Sequence, residues 1–240
     1  MVRFLSFFLC FLTFFVKAQY TFLGTAGYMD NGCIQLTPDA PFSEGLAFNT
    51  SKLDLNNYFE IQFDLYLGDK DQGADGITFV IHNDVRGFDA FGQWGECMGY
   101  GRFDPTRSGN SIDPSIAVEF DTYQNIYQLD PVSDHVAYLE NGSSRHKTYW
   151  NNDSEAYQLE DNSLHDFRLR WNPSTQTLSV FIDGQTVYTG KKDLINEIFN
   201  GEAKVIWGFT ASTGRKFNQQ YFCLKRLAEQ MPMEGSGGNG

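Results

Sequence analysis

The sequence predicts an all-β fold, an antiparallel two-sheet sandwich with one short helix. Three observations carry this. From Tyr58 to Leu67 the residues alternate strictly, with Phe59, Ile61, Phe63, Leu65 and Leu67 on one side and Glu60, Gln62, Asp64 and Tyr66 on the other, which is the period of a half-buried strand. Short apolar runs of the same kind recur between clusters of Gly, Asn and Pro, the pattern of many short strands sharing one core. Only the segment from Lys191 to Phe199 sets its apolar residues, Leu194, Ile195, Ile198 and Phe199, at helical spacing, with Gly201 as a stop.

Taken in order, the chain begins with Arg3, an apolar run from Phe4 to Val16 and then Lys17-Ala18 before Gln19. This is the pattern of a secretory signal peptide, residues 1–18, cleaved near Ala18. The run is about thirteen residues long, short of the roughly twenty that span a bilayer, and no later stretch is apolar enough to try. A secreted, extracellular product without an integral membrane segment is expected. Cys10 lies inside the apolar run rather than after it, which disfavours a lipid anchor. Strand-like runs follow at Cys33–Thr37, Leu46–Asn49, Tyr58–Leu67, Ile77–His82, Ile116–Asp121 and His135–Glu140. Phe167–Trp171 and Leu178–Asp183 flank Asn172-Pro173-Ser174-Thr175 and form a hairpin. Val205–Ala211 and Tyr221–Leu227 complete the set. From Glu229 the chain loses its apolar pattern and ends Gly-Ser-Gly-Gly-Asn-Gly, a disordered tail or linker over 229–240. Residues 19–228, with 16% aromatic content across the chain, suffice for one core and one domain.

The chain carries 18 Lys and Arg against 30 Asp and Glu, and loss of Arg3 and Lys17 with the leader brings its net charge from −12 to about −14. A polyanion is a poor partner for such a surface, so nucleic acid is excluded. Bound cations fit the acidic balance, and so does simple solubility. Three cysteines follow the leader, Cys33, Cys97 and Cys223. An oxidising compartment favours one bridge and one thiol, and the pairing stays open, although Cys33 and Cys223 meet if the terminal strands pair.

The chemistry concentrates between Glu119 and His135, where six candidate ligand groups fall within seventeen residues. Glu119 and Asp121 end a strand two residues apart and therefore share one face of a sheet. A loop with Tyr123, Asn125 and Asp130 follows, and His135 opens the next strand. Such oxygens can hold metal, do acid–base chemistry or face water. Three further segments bear on the choice: Gly73-Ala74-Asp75-Gly76 at the mouth of a strand, the Gly-rich loop Phe91–Gly101, whose bare backbone permits close approach to a ligand, and Gly208–Gly214 with Arg215, Lys216 and Asn218 after it. Trp150-Asn151-Asn152-Asp153 reads as a plain loop.

These blocks, namely Gly73–Ile81, Ala117–Asn125 with Asp130-Pro131 and His135, and Gly208–Gly214, resemble in order and spacing the L-type (legume-type) lectins, over nearly all of the mature chain. The resemblance implies a jelly-roll sandwich that binds glycans or glycoconjugates beside a calcium ion and a second, manganese-like transition-metal ion. Asp121 and Asp130 then bridge both ions, Tyr123 offers calcium its main-chain oxygen, Asn125 its side-chain oxygen, and Glu119 and His135 serve the second metal. The donor types agree, since calcium takes several oxygens and a carboxylate–imidazole set suits manganese or a similar ion. The sugar site would use the Asp75 carboxylate after a cis Ala74–Asp75 bond, the Asn125 amide, the Tyr123 ring and a backbone N–H from the Gly-rich loop, given by Glu96 or by Gly95. Glu96 departs from the family pattern there. Arg215, Lys216 and Asn218 stand where the family sets specificity, and a homodimer through the back sheets is a further expectation.

Two other readings remain. A structural or adhesion module could use the metal only to stiffen its loops. A glycoside hydrolase of the same fold needs a second carboxyl about 5–5.5 Å from the first for a retaining mechanism, and Gln124 stands where that acid would be.

Overall fold

The computed structural model describes residues 19–103 and 109–230. The expected signal peptide, Cys10 and positions 231–240 of the expected tail lie outside the described residues. Among the described residues there are fifteen strands: β1 (Tyr20–Gly24), β2 (Gly27–Tyr28), β3 (Ile34–Thr37), β4 (Glu44–Asn49), β5 (Leu53–Asp54), β6 (Tyr58–Tyr66), β7 (Gly76–His82), β8 (Ser115–Asp121), β9 (His135–Glu140), β10 (Tyr149–Trp150), β11 (His165–Asn172), β12 (Thr177–Ile182), β13 (Gln185–Lys191), β14 (Lys204–Ser212) and β15 (Gln220–Gln230). They form two antiparallel sheets, one in the order β1-β4-β14-β7-β8-β9-β10 with β5 added against β14, the other β13-β12-β11-β6-β15-β3-β2. Neighbours far apart in sequence, such as β4 beside β14 and β6 beside β15, give the sandwich its jelly-roll character.

The alternation in β6 sets the core. Phe59, Ile61, Phe63, Leu65 and Leu67 are all fully buried, and they pack on Ile77, Phe79, Val118, Phe120, Trp207 and Phe209 from the opposite sheet. Phe63 lies at the centre, with the rings of Phe209, Phe222, Phe79, Phe167 and Trp207 at centroid distances of 4.8, 5.7, 5.9, 5.9 and 6.0 Å. The other face of β6 meets solvent through ion pairs such as Arg170–Glu60 and Lys225–Asp64.

The site-bearing sheet is buried on both sides, which is why every residue of β7 and β8 is buried. Phe79, Val118 and Phe120 point inward. Leu46, Phe48, Val80, Ala117, Leu139 and Ile206 point outward into a second apolar cluster, closed by Ala90, Tyr100 and Ile112 from the long connection between β7 and β8.

Four expectations need adjustment. The segment expected to be helical gives one wide turn, Leu194–Ile198, in which the Phe199 N–H reaches Leu194 O at 3.0 Å. Its first residue, Lys191, instead ends the edge strand β13, which follows the Asp183-Gly184 turn and pairs with β12. Trp150 belongs to a short strand rather than to a loop. The last strand runs on through Glu229 and Gln230, opposite Phe59 and Tyr58. Cys33 and Cys223 form a disulfide across the β3–β15 end of the second sheet, and Cys97 is a buried thiol.

Candidate functional site

Sheet register assembles the site. Ser212 pairs with Gly76, Gly76 with Asp121, and Asp121 with His135, so four strands end in one row. Glu119 lies two residues inside that row on the same outward face as Asp121. The row brings together loops that are far apart in sequence.

Asp75 sits just before the row. The Ala74–Asp75 peptide is cis, and the flanking bonds fix it: the Asp75 N–H donates to Ser212 O (3.1 Å), the Thr122 N–H donates to Asp75 O (3.2 Å), and the buried Gln220 side chain donates to Ala74 O (2.9 Å). Gly76 follows with φ +136°, and a Cβ there would lie 2.1 Å from Phe120 O. Only glycine lets β7 pass so close to β8. The Asp75 carboxylate is buried and its Oδ2 has no protein partner. Burial, and then the nearby Glu96 carboxylate, push it up to about 7.

The loop after β8 folds back on its own carboxylates. Asp121 Oδ1 accepts from the Tyr123 N–H at 2.8 Å, and Asp130 Oδ2 from the Asn125 N–H at 2.7 Å. Asn125 Oδ1 is left buried without a partner, as is His135 Nε2. Glu119, Asp121 and Asp130 are at most 8% exposed. Burial and mutual repulsion hold Asp121 well above the usual carboxylate range and Asp130 at about 7. Burial, with His146 beside it, depresses His135 to about 3, so its imidazole is neutral and free to ligate. Clustered buried carboxylates with orphaned donor atoms between them are uncompensated unless a cation shares them. Two groups have the spacing for one: Asp121, Asp130 and His135, and Glu119, His135 and His146, with donor atoms within 4.8 Å of one another in each. The donor chemistry therefore fits both oxygen-bound calcium and a mixed carboxylate–imidazole metal.

The family model of the legume lectin beta-barrel domain matches residues 14–226. The chain belongs to the legume lectin domain family. Solved structures share its fold: basic winged bean lectin with Tn-antigen (20% identity, 89% of this chain and 93% of that one, TM-score 0.71), the Bauhinia forficata lectin in complex with GalNAc (21%, 88% and 92%, 0.69), and arcelin-5, a lectin-like defense protein from Phaseolus vulgaris (17%, 90% and 94%, 0.67).

In this lectin domain the Gly-rich loop is clamped against β14. Ser212 Oγ donates to Gly95 O at 2.9 Å, and Gly95–Cys97 forms a single tight turn with Gly95 at φ +61°. Gly95 and Glu96 therefore both lie at the Asp75 end of the sheet, and burial raises Glu96 above the ordinary carboxylate range. Tyr123 is 37% exposed beside a cavity of about 450 Å³ that also touches Asp71, Gln72, Asp134, Gln158 and Lys216. Asp75, Gly95, Glu96 and Asn125 do not line that cavity, so it adjoins the expected sugar residues rather than covering them. Val132 lines it at 76% exposure, and Ile126, Tyr127 and Leu129 of the same loop are 71–83% exposed.

Two roles were missed in the sequence. Asn218, expected at the specificity loop, is fully buried. Its Nδ2 donates to Lys70 O (3.0 Å), and Gly68 and Gly73 press against it so tightly that a Cβ on either would fall within 2.1 Å of its side chain. It braces the loop carrying Asp75, while Arg215 and Lys216 stay exposed. His146 enters the candidate metal-binding group from the β9–β10 loop, with Nδ1 3.2 Å from Glu119 Oε1. No spacing rule tied it to the strand ligands, since the rest of strand β9 and the five loop residues 141–145 lie between it and His135.

Proposed function

We propose that this lectin domain is a secreted, non-catalytic, calcium-dependent carbohydrate-binding protein. The observation that carries the reading is the pair of buried, unpartnered acceptors Asp75 Oδ2 and Asn125 Oδ1 at the end of one sheet, beside a cluster of carboxylates. Asp121, Asp130, the Tyr123 carbonyl and Asn125 Oδ1 would hold calcium; Glu119, Asp121, Asp130 and His135 would hold a second, transition-metal ion. Bound there, cations would supply the positive counter-charge that the buried carboxylates lack, and these residues would then hold the loop from Tyr123 to Asp130.

With Asn125 Oδ1 committed to calcium, its Nδ2 faces outward as a donor. Asp75 accepts from sugar hydroxyls, Asn125 and an N–H of Gly95 or Glu96 donate to them, and the Tyr123 ring covers the apolar C–H side of the saccharide. The GalNAc and Tn-antigen complexes of the similar lectins support a saccharide as the ligand class. Gln124 cannot protonate a leaving group, which supports binding without hydrolysis.

One observation favours a second reading, a structural module with no sugar ligand: the Glu96 carboxylate beside Asp75 places a second anion at the pocket. A glycan array with and without chelator separates the two. Chelator-sensitive binding is expected; no glycan bound in either condition would leave only the structural module.

A further inference from the structure

We propose that His146 is a direct ligand of the second metal ion and makes that site a two-imidazole centre that prefers zinc-class ions to manganese. The inference rests on the paired-metal reading above and adds to it a residue from a different loop.

His146 is placed by contacts made one turn earlier in its own segment. Arg102 and Ser143 bridge as isolated strand neighbours, Ser144 Oγ donates to Arg102 O at 3.0 Å, and Cys97 Sγ lies 3.6 Å from the same hydroxyl. The Gly-rich loop thus anchors the β9–β10 connection, and the chain passes on to His146, 7% exposed. Its Nδ1 lies 3.2 Å from Glu119 Oε1 and 3.9 Å from Asp130 Oδ1, while His135 Nε2 lies 3.8 and 4.0 Å from those same two oxygens. Glu119, His135 and His146 offer donor atoms within 4.8 Å of one another, and Asp130 lies beside both imidazoles. Ligands held about 2.0–2.2 Å from a common ion cannot be more than roughly 4.4 Å apart, and all four measured separations meet that limit.

The remaining surroundings point the same way. His135 Nε2 is 1% exposed in residue terms and has no protein partner, so a buried lone pair faces the cluster unused. The two imidazole rings stand 4.8 Å apart, and Tyr149 meets both edge-on at 5.6 Å, a partial cover over the nitrogen side of the site. A set of two imidazoles and carboxylates favours zinc, nickel or copper, whereas manganese is best served by carboxylate, carbonyl and water.

The alternative role for His146 is a plain hydrogen bond to Glu119. The test uses the full mature chain, stripped of metal and returned to calcium with equimolar zinc and manganese. Wild type is expected to retain one zinc with little manganese by elemental analysis, and with copper in the site its electron paramagnetic spectrum should show coupling to two imidazole nitrogens. H146Q, which keeps a hydrogen-bonding side chain, should lose one nitrogen coupling and more zinc affinity than the roughly 10–100-fold that an outer-sphere partner is worth. One nitrogen in wild type, or unchanged zinc preference in H146Q, overturns the proposal while leaving the paired-metal reading intact. No second ion in any form removes both. Two nitrogens without any glycan binding leaves His146 as a ligand and removes only the lectin reading.

Discussion

At the scale of single residues, Asp75 and Glu160 show what burial does to a carboxylate in two different settings. Asp75 is the proposed acceptor for sugar hydroxyls. Asp75→Ala should abolish glycan binding and leave the fold intact, since its side-chain Oδ2 has no protein partner and the loop is held by backbone bonds; unchanged affinity would place the pocket elsewhere. Glu160 has no such role in the site. It is 4% exposed, its Oε2 is unpartnered, and burial followed by the Asp134 charge pushes it up to about 8. Because its folded value is raised, the stability it contributes is present in full below about 4.5 and is lost as pH rises through about 8. Glu160→Gln should therefore gain stability over wild type, by an amount on the order of 1–3 kcal/mol, at pH 9 but not at pH 4, read as a shift of the urea midpoint. Equal shifts at both pH values would contradict this. The sequence made Asp75 legible through its Gly-flanked place before a strand, and Glu119, Asp121 and Asp130 through strand parity and loop spacing. Nothing local marks Glu160 or His146, whose surroundings are made by segments folded over them from elsewhere.

At the scale of elements, the strands that are readable in sequence are those with one apolar side. Tyr58–Leu67 declared its buried face completely, and Phe63 is the ring that the most aromatic neighbours share. Phe63→Ala should destabilise the domain by about 3–5 kcal/mol, measured by chemical denaturation; a loss below 1 kcal/mol would mean the core collapses around the gap. The edge strand β13 was illegible because none of its residues is fully buried, so no alternation reports it. The wide turn Leu194–Ile198 misled for the opposite reason, since its apolar spacing is that of a helix but Asp193 caps it at once and Gly201 ends it. Asn218 belongs to this scale too. Its place where the family sets specificity suggested contact with ligand, whereas its work is to hold Gly68 and Gly73 in place.

At the scale of the whole molecule, the carboxylate–imidazole cluster and the core are coupled through the row of strand ends. Ser212, Gly76, Asp121 and His135 are backbone neighbours across one sheet, so the charges gathered there bear on four strands together. Removing bound metal should lower the melting temperature by several degrees, equivalent to about 1–4 kcal/mol of linked binding energy, and should loosen the loop from Tyr123 to Asp130 first, visible as early proteolysis. An unchanged melting temperature after exhaustive chelation would show that the cluster is not loaded. The overall sandwich was legible because period-two patterns need no partner to be recognised. The order of strands within each sheet was not, because register is written across the fold and not along the chain. The same holds for the bridge between Cys33 and Cys223, which are 190 residues apart. That bridge bears on tension. Pulled from its two ends, the oxidised domain can pay out only the residues before Cys33 and after Cys223, because the covalent clasp carries the load past everything between them. The whole candidate site, from Asp75 to Ser212, lies inside the clasp. A force-extension measurement should show a long unravelling event only after a reductant is added, so a ligand held under strain would stay held while the bridge survives.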